Sequence, residues 1–275
     1  MRLGIGSYTY SWAMGIPGYD NGRPRITCVD IINRAAERRC DLVQLCDNAF
    51  LERMPSEERS MLGQQCRSLN LGIQVGTRGV DPANVSAFLG IAMETRSDLV
   101  RSMLPKEGYG TDLNDAIAML KEVMPAFEKA DILLSLENHD RHTCRELRTV
   151  LDRVGSRHLG ICLDTANSYG VTEDVSRVID TLLPVANCVH IKDFSIRRIS
   201  TQMGFHLGGA PAGMGMVDIK KIMDGYAGMG EKGAVILELW TPYINDLEET
   251  IALENRWAEL SLEYMRPFFK SAAVE

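Results

Sequence analysis

Four short stretches decide how this chain is read: Leu133-Leu134-Ser135-Leu136-Glu137, Leu159-Gly160-Ile161-Cys162-Leu163-Asp164, Cys188-Val189-His190 and Val235-Ile236-Leu237-Glu238. Each is a mostly apolar run that closes on one carboxylate or imidazole. Short runs that are apolar on both faces are expected of parallel strands covered by helices. If these are strands of one parallel sheet, their polar last residues arrive together at a single edge.

The same pattern extends outward from them. Strand candidates precede them at 3–8, 42–46, 72–76 and 97–102, and the four stretches themselves fall within 132–137, 159–164, 186–191 and 235–239. Between strands, apolar residues recur at helical spacing. Thr27 to Arg39 places Val29, Ile31, Ile32 and Ala36 on one side, and Asp112 to Ala130 does the same with Ile117, Leu120, Val123 and Phe127. Thr27, Ser56, Asp112, Thr143 and Thr172 stand where N-caps are expected.

Eight strand–helix alternations in 275 residues give roughly 34 residues per unit, close to that of a closed (β/α)8 barrel. An open doubly wound sheet would carry Gly-x-Gly-x-x-Gly after its first strand, and Gly4-Ile5-Gly6-Ser7-Tyr8-Thr9 lacks the third glycine. No composition break divides the chain. Residues 1–275 are therefore read as one α/β domain, a (β/α)8 TIM barrel. From Phe194 to Met216 the sequence carries five glycines, Pro211, Arg197 and Arg198 without a clear period. It is read as a long substrate-covering loop after the seventh strand, where barrel active sites are built.

Composition narrows the classes. There are 30 Lys and Arg against 37 Asp and Glu, a net charge of −7, which suits no phosphate backbone. No apolar stretch approaches the roughly 20 residues needed to cross a bilayer, and the N-terminus shows no signal-peptide core. Nucleic-acid and membrane partners are excluded on this reading. The seven cysteines are odd in number and form no Cys-x-x-Cys pair, so reduced thiols in a cytoplasmic protein are expected. No Gly-x-Ser-x-Gly elbow or Walker loop is present.

In a barrel the ends of strands 5–8 share one rim, so Glu137, Asp164, His190 and Glu238 would meet in one bowl. Three carboxylates brought together are costly unless a cation neutralises them. With one imidazole they form an oxygen-rich set suited to Mn2+, Co2+, Mg2+ or Zn2+, with open positions for substrate. A single acidic strand end is usually a loop or cap residue; four at corresponding places are not.

The motifs Leu136-Glu137-Asn138-His139, Leu163-Asp164-Thr165-Ala166-Asn167, Val189-His190-Ile191-Lys192-Asp193 and Leu237-Glu238 resemble those of the xylose-isomerase-like barrel superfamily of sugar isomerases and epimerases. The resemblance covers essentially the whole chain and implies Glu137, Asp164, His190 and Glu238 as metal ligands, with Mn2+ the first expectation. It implies a metal-dependent isomerase or epimerase, in which the cation stabilises an enediolate formed next to a carbonyl and Glu137 and Glu238 move the proton. Many relatives place a His shortly after the ligand Asp. This chain has Asn167 there, which cannot shuttle a proton near neutral pH. His139 shares a face with Glu137 if the strand continues, making it either an acid/base or a histidine at the rim.

Other strand-end groups fit a polar ring. Tyr8 and Trp12 follow strand one, Gln44 and Asp47-Asn48 strand two, Thr77-Arg78 strand three and Arg101 strand four. Tyr8, Trp12, Arg78, Asn167, Lys192 and Arg197 are candidate substrate contacts. Packing is the alternative for Tyr8 and Trp12, a structural ion pair for Lys192, and exposure to solvent for Arg197. Tyr8–Trp12, Thr77-Arg78-Gly79 and the glycines after Asp193 are similar to barrels of keto-glycoside catabolism, such as the α-subunits of C-glycoside deglycosidases. That likeness implies a lyase eliminating the C1 substituent of a 3-keto-glycoside, in a hetero-oligomer with a small β-rich subunit. A homo-oligomer is expected otherwise. The apurinic endonuclease branch would need more than the five histidines present, and a non-enzymatic sugar-binding barrel would keep the ligands without turnover.

Overall fold

The computed structural model describes residues 1–19, 22–104 and 112–269. Eight parallel strands close into a barrel: β1 (Arg2–Gly6), β2 (Leu42–Leu45), β3 (Gly72–Gly76), β4 (Leu99–Met103), β5 (Leu133–Glu137), β6 (Leu159–Asp164), β7 (Ala186–Ile191) and, after an intervening hairpin, β10 (Ala234–Leu237). Strand β10 lies between β7 and β1, which completes the ring. The (β/α)8 architecture is the one the sequence predicts.

Outer helices α2 (Cys28–Glu37), α3 (Ser56–Ser68), α4 (Pro82–Thr95), α5 (Leu113–Ala130), α6 (Cys144–Val154), α7 (Val175–Leu182), α8 (Ile219–Tyr226) and α9 (Leu247–Met265) cover the barrel, and the short α1 (Ser11–Met14) follows β1. Capping chemistry sets where several begin. Thr27 with Asp30 and Thr143 with Glu146 form reciprocal capping boxes, and Asp112 caps α5. Ser56 is the first residue of its helix, behind Pro55. Thr172 is not an N-cap: its φ of 58° ends a 3-10 turn, and Asp174 caps α7 instead.

Alternation along the strands sorts the side chains. Outward residues join the helices in one large apolar core. Inward, Leu42, Leu99, Cys162, Cys188, Ala234 and Ile236 form a small plug in the barrel. Two residues further along the same strands the inward positions turn polar: Gln44, Arg101, Asp164, His190 and Glu238. All seven cysteines are buried free thiols. Among the described residues, no helix is long and apolar enough to cross a membrane.

The stretch 194–216 departs from the loop expected there. Strands β8 (Asp193–Arg198) and β9 (Phe205–Ala210) pair antiparallel, with Asp193 opposite Ala210 and Arg198 opposite Phe205. Asp193, itself buried, ties the base of this hairpin. Its Oδ1 accepts from the N–H of Phe194 at 2.9 Å and Val217 at 3.0 Å, and its Oδ2 from Gly213 and Gly215, both at 2.9 Å. A Cβ on Gly215 would stand 2.1 Å from Asp193 Oδ1, so this close approach demands glycine.

Candidate active site

The four strand-end ligands predicted from sequence do converge. Glu137, Asp164, His190 and Glu238 are all buried at the C-terminal rim of the barrel. Each is aimed by its neighbours. Asp164 Oδ1 caps the turn behind it, accepting from the N–H groups of Ala166 and Asn167 at 2.8 Å each, which leaves Oδ2 facing inward. The amide of Asn138, pointing the other way from Glu137, bridges both backbone groups of Asp164, at 2.7 and 2.8 Å. His190 Nε2–H donates to Gln44 Oε1 at 2.8 Å, which turns Nδ1 toward the carboxylates. Gln44 in turn donates to Gln74 at 3.1 Å.

Glu137, Asp164 and His190 offer ligand atoms that all lie within 4.8 Å of one another, and Glu238 Oε1 is 3.0 Å from His190 Nδ1. Asp164 Oδ2 and His190 Nδ1 are buried with no partner but a neighbouring charge, Lys192 Nζ for the first and Glu238 Oε1 for the second. Carboxylate oxygens and an imidazole nitrogen converging in this way are donors that would fit a divalent cation once the imidazole gives up its Nδ1 proton.

Protein cations already balance much of the negative charge. Arg101, buried on β4, donates through Nε to Glu137 Oε2 and through Nη1 to the carbonyl of Thr77 at 3.1 Å. Lys192 Nζ lies 2.8 Å from Asp164 Oδ2 and 2.9 Å from Glu238 Oε2, and donates to Asn167 Oδ1 at 3.3 Å. The Asn167 amide donates to Glu137 Oε1 at 2.7 Å. Burial alone would raise the Glu238 pKa, yet the charges of His190 and Lys192 outweigh it and hold that carboxyl well below the usual range. Burial likewise opposes a charged His190, and Glu238 overrides it, so the imidazole is pushed well above its ordinary value.

A pocket of about 160 Å3 opens over these groups, lined by Tyr8, Arg78, Arg101, Glu137, His139, Asn167, Lys192, Glu238 and Trp240. Tyr8, Arg78, Asn167 and Lys192, four of the candidate contacts, are thus brought to one pocket. The Tyr8 hydroxyl donates to Asp47 Oδ2 at 2.9 Å and accepts from Arg78 Nη2 at 2.8 Å, and Arg78 Nε also bonds Asp47. His139 lines the pocket rim, its Nδ1 against Asp140. Trp12 lies outside this pocket: its indole N–H donates to the carbonyl of Thr241 at 2.7 Å, and the ring lines an adjoining cleft of about 430 Å3. Arg197 is not brought to the site. It is exposed on the hairpin opposite His206, and no hairpin residue lines either cavity.

Sequence reasoning placed Gln44, Asp47 and Arg101 among the strand-end groups around a polar ring without assigning their partners, and passed over Trp240. The pairing of Arg101 was readable too, because an arginine inside an apolar barrel strand must find a buried carboxylate. Trp240 sits two residues past Glu238, and its ring centroid is 5.2 Å from Lys192 Nζ.

A parallel barrel with carboxylates and an imidazole gathered at the C-terminal rim defines the class to which the chain can belong, a barrel enzyme with a candidate metal centre. The family model described as "Xylose isomerase-like TIM barrel" matches residues 91–268, and the chain belongs to this family. Among curated proteins, the 3-oxo-isoapionate decarboxylase of Pectobacterium atrosepticum is 28% identical over 267 residues, covering 96% of this chain and 95% of that protein. Among solved structures, D-psicose 3-epimerase from Clostridium cellulolyticum H10 aligns with a TM-score of 0.73 at 13% identity, over 98% of this chain and 100% of its own. A xylose isomerase-like TIM barrel protein from Mycobacterium smegmatis in complex with magnesium aligns at 0.65 and 14% identity, over 96% of each chain. At these identities the two structures share the fold.

Proposed function

We propose that this chain is a divalent-metal-dependent enzyme acting on a keto-sugar derivative, and that it generates an enediolate by expelling carbon dioxide from a 3-oxo sugar acid. The observation that carries this reading is the engagement of the two glutamates. An isomerase or epimerase needs a carboxylate able to take a proton from carbon. Glu137 is held by Arg101 on one oxygen and Asn167 on the other. Glu238 is paired with His190 and Lys192, and its pKa is lowered accordingly. Neither glutamate has an oxygen left free of a partner to take a proton from carbon.

Loss of carbon dioxide from a β-keto acid needs no base. The electron pair of the breaking C–C bond flows into the adjacent carbonyl, and what helps is positive charge around that oxygen. A cation held by Glu137, Asp164, His190 and Glu238, with Mn2+ ahead of Co2+, Mg2+ and Zn2+, supplies a Lewis acid there. Lys192 adds a fixed charge beside it. Half-exposed Arg78, held by Asp47 and Tyr8 on the pocket wall, is placed to receive the substrate carboxylate. His139 at the rim is placed to protonate the carbon that carbon dioxide leaves. The full-length decarboxylase relative supports this reading.

Two other outcomes use the same site. Proton transfer on a free ketose would make the chain an isomerase or epimerase, with Glu137, Glu238 and His139 as its acids and bases. Elimination from a 3-keto-glycoside would make it a lyase and bring in the small β-rich subunit. One experiment separates them: the Mn2+-loaded protein is incubated in deuterated water with 3-oxo sugar acids, free ketoses and 3-keto-glycosides, and followed by NMR. Carbon dioxide release with deuterium at the vacated carbon is expected. Deuterium entering a ketose without carbon dioxide, or release of an aglycone, would replace this reading with the corresponding alternative.

We also propose that the chain self-associates through the hairpin, which exposes Ile196, Met203, Phe205 and Leu207, with Met214 and Met216 at its base. Exposed apolar side chains gathered on one ribbon are the kind of surface a partner copy covers.

A further inference from the structure

The pocket over the ligand residues is small. At about 160 Å3 it falls below the roughly 300–1,000 Å3 of small-molecule sites, whereas the adjoining cleft, at about 430 Å3, lies within that range. The two cavities share Tyr8, Lys192, Glu238 and Trp240, so they adjoin across these four side chains as two compartments of the barrel mouth.

The compartments differ in chemistry. The inner one is walled by Arg78, Arg101, Glu137 and His139. The outer one is walled mainly by Trp12, Ile16, Pro17, Leu239 and the two shared aromatics, with Ser11, Asn48 and Thr241 as its uncharged polar groups and Lys192 and Glu238 where it meets the inner one. Its aromatic wall is also fixed in place. The buried carboxylate of Glu254 accepts from the backbone N–H of Trp12 at 2.9 Å and of Ala13 at 3.2 Å, which holds α1. The Trp12 ring is clamped by its bond to Thr241 and by Tyr19 and Tyr243, whose centroids lie 4.9 and 5.3 Å away. Half-exposed Trp240 stands at the junction, over Lys192. A rigid aromatic surface beside a polar reaction chamber suits a ligand with one polar end and one flat apolar end.

We infer that the outer cleft is a second substrate subsite, one that takes a planar apolar group attached to the keto-sugar part, so that the substrate is an aryl-bearing sugar derivative rather than a bare short-chain sugar acid. The inference rests on the proposed function only in placing the reacting carbons in the inner pocket. It holds for decarboxylation, proton transfer and elimination alike.

Binding, not turnover, tests it. The phenyl and methyl ethers of dihydroxyacetone share a carbonyl next to a hydroxyl and differ only in the appended group. Titration calorimetry on the Mn2+-loaded protein is expected to give the phenyl ether an affinity at least tenfold higher. Ile16→Asp, which puts a charge in the outer cleft, and Ser11→Trp, which fills it, are each expected to reduce that preference to below threefold. Equal affinities for the two ethers, no binding of either, or a preference that survives in both variants would overturn the inference. Failure of the carbon dioxide assay would leave this result untouched, so the two ideas fall separately.

Discussion

Lys192 Nζ and Glu238 Oε2 face each other at 2.9 Å in the buried floor of the active site, and the same ammonium is 2.8 Å from Asp164 Oδ2. A protein cation thus shares two of the carboxylates that a metal ion would use. The two positive charges repel each other, so each weakens the other's hold. Lys192→Met, similar in length and neutral, is expected to bind Mn2+ about tenfold more tightly, equivalent to about 1.4 kcal/mol, and to lose about 100-fold or more in turnover. Calorimetric titration of the metal checks the first part. Unchanged or weaker binding would mean that Lys192 does not oppose the metal.

Metal dependence itself is open to direct test. Stripping by a chelator is expected to abolish activity, and Mn2+ to restore it. Asp164→Asn keeps an oxygen for the Ala166 and Asn167 amides but removes the charge of the inward-facing Oδ2. Its Mn2+ affinity is expected to fall beyond the roughly 10–100-fold that loss of an outer-shell partner costs. Full turnover in verified metal-free protein would sink the ligand assignment.

The meeting of the four strand-end residues was legible because a parallel barrel leaves little freedom. Inward residues recur every second position, and each strand's last inward residue reaches the same rim, so Glu137, Asp164, His190 and Glu238 needed only correct strand ends. Their partners were harder to read. Arg101 lies opposite Ser135 in the β4–β5 register, and its reach to Glu137 depends on the rotamer of a long side chain. The hairpin escaped notice because most of its residues are partly or wholly exposed, with Gly208 and Gly209 in β9, so no alternation of buried and exposed residues marks its strands. Arg197 was misplaced with it. Thr172 misled as a cap because its left-handed backbone, rather than its side chain, ends the preceding turn.

Arg101 and Glu137 form a buried pair, and breaking one side should be worse than removing both. Arg101→Met removes the cation bonded to the buried Glu137 carboxylate and leaves it the Asn167 amide, with His190 Nδ1 at 3.6 Å. A loss of about 3–5 kcal/mol is expected. In the Arg101→Met, Glu137→Gln double variant most of that loss should be recovered. Denaturant unfolding of the four proteins gives the coupling. An additive cycle would show that the pair is not energetically linked.

Self-association through the hairpin has a simple reporter. The natural chain is expected to run in light scattering as an oligomer, and Phe205→Asp combined with Met203→Asp as a monomer of unchanged circular dichroism. Both residues are exposed, Phe205 at 64% and Met203 at 86%, so neither change should disturb the barrel. A monomeric natural chain, or an oligomer unaffected by the double change, would remove the hairpin from consideration.

Glu254 offers a pH test in which the sign can be worked out beforehand. Burial raises its pKa from 4.5 to about 7, and the hydrogen bonds from Trp12 and Ala13 offset this only in part. A carboxyl whose folded pKa is raised takes up a proton on folding. Its favourable contribution is complete below pH 4.5, declines as pH rises, and is gone above about 7, where a buried charge costs on the order of 3 kcal/mol. Glu254→Gln cannot ionise. It keeps one oxygen for the Trp12 amide but turns an NH2 toward that of Ala13, a penalty that does not vary with pH. The informative quantity is therefore the slope. From about pH 5 to about pH 8, the stability of Glu254→Gln relative to the natural chain is expected to rise by about 2–3 kcal/mol in urea unfolding. A flat difference would mean that Glu254 titrates at its ordinary value. It would then hold α1 and the Trp12 wall equally well throughout that range.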